Sequence, residues 1–93
     1  MMTPMNIEYT IQIWKEGTQF VAHATPLDVM SSGPTPEQAR KALDEAVYLF
    51  LLTAADMGTL EEVLEEAGYE RREDGWVCPS WVAIERRSAL VHV

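Results

Sequence analysis

A chain of 93 residues with 47 % apolar content is long enough for one packed domain and too apolar for a disordered segment. At this size folding buries roughly 60–65 % of the surface that the unfolded chain exposes, so stability is modest. Fifteen acidic residues against seven basic ones give a net charge of −8, which repels phosphate backbones and favours basic partners, chiefly by speeding encounter.

Residues 1–6 carry neither a basic stretch nor an apolar one, so no signal peptide is expected. Ile7, Tyr9, Ile11 and Ile13 then alternate with Glu8, Thr10, Gln12 and Trp14. That period of two predicts a strand with one buried face, and it puts Trp14 on the opposite, exposed face. After a turn at Glu16-Gly17, residues 20–24 predict a second strand and complete a hairpin. Thr25-Pro26 breaks it, and residues 27–31 predict a short third strand that Ser32-Gly33-Pro34 ends.

Thr35-Pro36-Glu37-Gln38 has the chemistry of a helix start. Thr35 can cap free N–H groups, Pro36 suits the first helical position, and Gln38 completes a capping box. Ala39, Leu43, Ala46, Val47 and Phe50 recur at helical spacing. Beyond Val47, with Tyr48, Leu49, Leu51 and Leu52, the helix is apolar nearly all round, which implies more than one neighbour: the next helix, or a second copy of the protein. The run from residue 46 to 55 is too short for the roughly 20 residues that a membrane span needs.

Met57-Gly58 is placed to end this helix. Thr59 to Glu62 repeats the capping pattern, Leu60, Val63, Leu64 and Ala67 mark a second helix, and Gly68 suits its left-handed end. Glu61, Glu62, Glu65 and Glu66 share the other face of that helix, either as a solvated surface or as a docking face for a basic partner. The four carboxylates argue against a helix-turn-helix approaching phosphates. Asp74-Gly75 is a hairpin signal between residues 69–73 and 76–78, and residues 81–84 and 89–93 are β-like on either side of Glu85-Arg86-Arg87-Ser88. The expected fold is α+β in the order β-β-β-α-α-β-β, an antiparallel sheet with the helices packed mainly on one face, over a single domain of residues 1–93.

The stretch from Phe20 to Ala39 resembles the signature of the HicB antitoxin family. Its elements are Val21-Ala22, then Leu27-Asp28-Val29, then Gly33-x-Thr35-x-x-x-Ala39, and then the apolar stripe from Leu43 to Leu52. The run from Leu60 to Tyr69 is similar to the short second helix of some members. The resemblance covers about two-thirds of the chain. It implies a degenerate RNase H-like domain without nuclease activity, whose partner is a small basic HicA-type RNase toxin. The antitoxin covers the toxin's active and RNA-binding surface. Many members carry a DNA-binding module after this domain; none is expected after Val93, and no direct contact with nucleic acid is expected.

Neither His23 nor His92 has Asp, Cys or Glu at metal-ligand spacing, and Glu8 and Asp28 fall short of the carboxylate cluster of a two-metal nuclease. No catalytic residue, metal or cofactor is therefore expected. Cys78, the lone cysteine, has no neighbouring base to activate it and fits a reducing compartment, so the expected location is cytoplasmic. Arg71-Arg72 and Arg86-Arg87 are read as offsetting local acids. The expected partner-binding residues are Asp28, Met30, Glu61, Glu62, Glu65 and Glu66. Trp14, Leu49 and Leu52 are the expected contacts of a homo-oligomer. The alternative to an antitoxin is an orphan relative of the same fold, an oligomeric structural or regulatory module with no toxin partner.

Overall fold

In a computed structural model, which describes residues 4–93, the chain is a small α+β fold of two three-stranded sheets and two helices. The start of the segment read for a leader, residues 1–3, lies outside the described residues. The elements are β1 (Asn6–Ile7), β2 (Thr10–Glu16), β3 (Gln19–Thr25), β4 (Val29–Gly33), α1 (Pro36–Asp56), α2 (Leu60–Glu66), β5 (Glu70–Arg72) and β6 (Gly75–Val77).

The first hairpin keeps the register that alternation requires. Ile11 lies opposite Ala24 and Ile13 opposite Ala22, so these four side chains share the face that α1 covers. Ala22, Ala24 and Ala39 are fully buried, and their small size lets the helix approach the sheet closely. The approach is tightest at Gly33, where a Cβ would lie 2.8 Å from the Ala39 nitrogen. Leu43 and Val47 continue the buried stripe of α1, and Leu64 brings α2 into the same core.

Helix α1 starts where its cap predicts. Thr35 Oγ1 accepts a 3.1 Å bond from the Gln38 backbone N–H. The box is not reciprocal, because the Gln38 side chain accepts from the Thr35 hydroxyl instead of returning to the backbone. At Thr59 the expected cap is absent: its hydroxyl donates to the Ala54 carbonyl, at the end of α1. Gly68, at φ 92°, ends α2 in the left-handed conformation that the sequence anticipates, and Gly58, at φ 74°, ends α1 in the same way.

Three features correct the expected sheet. First, the opening strand is interrupted at residues 8–9, and its first part, β1, pairs in parallel with β6, Ile7 lying opposite Trp76. The strands therefore form two sheets, β1-β6-β5 and β2-β3-β4, not one antiparallel sheet. Second, the hairpin loop between β5 and β6 is Glu73-Asp74, because Gly75 already pairs with Arg72. Gly75 answers to close packing: a Cβ there would lie 1.9 Å from the Asn6 carbonyl oxygen. Third, residues 81–84 and 89–93 form no strand, and every residue from Pro79 onward is exposed. A strand needs a ladder partner, and β composition does not supply one.

Candidate interaction surface

The exposed side of α1 is the main apolar surface of the folded body. After Val47 the helix presents Tyr48, Leu49 and Leu52 outward, and Met57 follows at its end, 71 % exposed. Large side chains in such a row are uncommon on a monomer's surface and mark contact sites. Leu49 and Leu52, the two helical positions expected at an oligomer interface, both belong to this row.

Beside the row lies a groove of about 710 Å³ between α1 and the first strand, walled by Met5, Ile7, Val47, Leu51 and Leu60. Its polar groups include Tyr9 and Asp44, joined by a 2.5 Å hydrogen bond in which the Tyr9 hydroxyl donates. Burial, and next the Asp44 carboxylate that accepts its proton, push the Tyr9 pKa up to about 12. Tyr69 lies deeper, and its hydroxyl donates to the Glu8 carbonyl. Its pKa is also raised, first by burial and then by the negative charge that Cys78 and Glu8 can carry.

Leu60 and Ala55 of the groove also border a smaller depression that Glu61 and Glu62 line. Apolar helix surface thus runs directly into the acidic face of α2. Glu61, Glu62, Glu65 and Glu66 are all exposed. Arg71 approaches Glu61 at 3.4 Å while its guanidinium lies 5.4 Å from the Trp76 ring centre, and Arg72 pairs with Glu70 at 2.8 Å. Both basic residues therefore offset local acids at exposed sites, where such pairs contribute little to stability.

Trp14, Asp28 and Met30 lie elsewhere, on the sheet face turned away from α1 and at its rim. Register places Gln12, His23 and Met30 in one row across β2-β3-β4, with Trp14 opposite Val21 in the next. Trp14 is 36 % exposed, and its indole N–H donates to Glu16 while its ring meets His23 edge-on at 6.3 Å. His23 Nε2 lies 2.7 Å from Asp28 Oδ1. Periodicity cannot find this pair, because the turn at residues 26–28 folds Asp28, at φ 61°, back over the strand that it follows. The expected contact residues therefore divide into two patches: Leu49, Leu52 and the α2 glutamates on the helical side, and Trp14, Asp28 and Met30 on the open sheet.

Of the other tryptophans, Trp76 is buried and its N–H donates to Met5 Sδ at 3.1 Å, whereas Trp81 is exposed and donates to Thr10 Oγ1 at 3.0 Å. Among the described residues no three His, Cys, Asp or Glu side chains converge in a metal-binding group, and no helix is long and apolar enough to cross a membrane. Searches of protein-family models, curated proteins and solved structures find no match to this chain.

Proposed function

We propose that this chain is a cytoplasmic, non-enzymatic binding protein of the HicB type, which neutralises a small basic HicA-type RNase by occluding its RNA-binding surface. The observation that carries the proposal is the continuity of the apolar groove beside α1 with Glu61 and Glu62 of α2, through Ala55 and Leu60. Apolar area supplies the affinity, and the acidic flank supplies attraction for a basic surface that otherwise binds RNA. The degenerate RNase H-like assignment of the domain belongs to the same proposal. It rests on the residues from Phe20 to Ala39, with a β2-β3-β4 meander leading into α1.

The mechanism needs no bond to be made or broken. Occupation of the toxin's basic face by Glu61, Glu62, Glu65 and Glu66 excludes the phosphate backbone by competition for the same charges. The test is co-expression with the small basic protein of the neighbouring reading frame. Complex formation and relief of growth arrest are expected, and both weaken when the four glutamates are changed to glutamine. A neighbour that stays toxic and unbound would sink the proposal. The second reading, an oligomeric module without a toxin, is favoured by one observation: the large amount of exposed apolar surface on residues 81–93.

A further inference from the structure

Residues 80–93 have the composition of a strand and none of its contacts. Trp81, Val82, Ile84, Val91 and Val93 are aromatic or β-branched, the types enriched in strands, and Leu90 is apolar, yet Val82 is 98 % and Leu90 90 % exposed. A compact chain of this length has a radius of gyration of about 12 Å. The observed value is 15.9 Å, with extents of 56 × 29 × 22 Å, which fits an apolar arm that projects from the body.

The body has a matching vacancy. Among the described residues β2 pairs only with β3, so one edge of Thr10–Glu16 carries unpaired backbone groups. The arm leaves the body at the Thr10 end of this strand. Trp81 is held to Thr10 there, and Pro79, which has no N–H, stops the β6 ladder from simply continuing. Charge points the same way. Residues 80–93 hold Arg86, Arg87 and Glu85, a net of +1, whereas residues 1–79 hold five basic and fourteen acidic residues, a net of −9; the two sum to the −8 of the chain. The arm is the basic part of an acidic molecule, and Glu8 and Glu16 flank the open edge.

We infer that the chain pairs with a second copy of itself by exchanging arms, residues 80–93 of each copy lying as an added strand on the free edge of β2 in the other. Two-fold symmetry satisfies both arms and both edges at once, because each arm starts next to the edge that its partner's arm needs. The exchange buries the apolar arm, closes the β2 edge against further association, and sets Arg86 and Arg87 against the acidic body. The inference does not depend on a toxin, and its test uses the chain alone.

Sedimentation equilibrium of the full chain is expected to give twice the chain mass, falling to the single mass when Val82, Ile84 and Leu90 are all changed to aspartate. Those three side chains are exposed in the single chain, so its fold is preserved. In a mixture of isotope-labelled and unlabelled chains, nuclear Overhauser contacts are expected from β2 amides of one copy to arm methyls of the other. Slow hydrogen exchange at outward-facing β2 amides is expected to disappear in the triple variant. A monomeric full chain overturns the inference. So do arm contacts found only within one chain, or a dimer that survives the triple substitution through the apolar row of α1.

Discussion

The Tyr9 hydroxyl donates a 2.5 Å hydrogen bond to Asp44 that ties the break between β1 and β2 to α1 in the wall of the groove. The bond, with burial, holds the phenol neutral: the Tyr9 pKa rises from 10.0 to about 12. Tyr69 shifts in the same direction, mainly through burial. A raised value means that the folded chain holds the proton more tightly than the unfolded chain does. The stability from both groups is complete below the ordinary tyrosine value and is lost as pH rises through the folded values. Urea midpoints are therefore expected to fall as pH climbs from 10 toward 12, in step with phenolate absorbance. Tyr9→Phe makes that fall shallower. An equally steep fall in the variant would show that Tyr9 does not contribute.

Leu43 and Leu49 stand six positions apart on one helix and differ completely in burial, at 0 % and 59 % exposed. Leu43→Ala empties space inside the core and is expected to cost about 2–5 kcal/mol in denaturant unfolding. Leu49→Ala is expected to change stability by less than about 0.5 kcal/mol. Under the proposed function its effect falls on binding instead: complex formation with a basic partner is expected to weaken while the unfolding midpoint stays in place.

Gly75 permits the parallel pairing of β1 with β6, since a methyl group there would overlap the Asn6 carbonyl at 1.9 Å. Gly75→Ala must push the strands apart, at an expected cost of about 1–3 kcal/mol. The Glu8 amide, which donates to the Trp76 carbonyl at 3.1 Å, is expected to lose its hydrogen-exchange protection first. Retained protection at Glu8 would show that the pairing tolerates a side chain.

Asp28 adopts φ 61° and reaches His23 with its carboxylate. Asparagine tolerates that backbone conformation almost as well as aspartate, and alanine does not. Asp28→Asn is therefore expected to keep the turn, whereas Asp28→Ala costs about 1–2 kcal/mol from the left-handed conformation. Comparable thermal unfolding of the two variants would assign the position to the charge and not to the backbone.

Much of the architecture was legible because its causes are local. The alternation from Ile11 to Trp14, the Thr35 cap, the Ala39-Leu43-Val47 part of the stripe and the left-handed Gly68 all act within a few residues and appear where the sequence places them, whereas the strand breaks at residues 8–9 and Phe50, placed on the buried stripe, is 39 % exposed. The exposed position of Trp14 follows from the same alternation, whereas the helical period does not separate Leu49 and Leu52 from Phe50, which is exposed as well. The capping boxes were only half legible. The motif names residues that can bond, while competing acceptors such as the Ala54 carbonyl determine which bond forms.

What the sequence by itself determined, then, was the two helices, the β2-β3 hairpin, most of their buried faces and the strongly acidic balance. The tertiary structure decided which distant segments meet: β1 with β6, Tyr9 with Asp44, Tyr69 with Glu8, and the apolar end of α1 with the glutamates of α2. It also left residues 80–93 without a ladder, although their composition favours one. The reason is that helix and turn preferences are satisfied by near neighbours along the chain. Strand pairing and converging side chains instead depend on long-range closure, which no local pattern encodes.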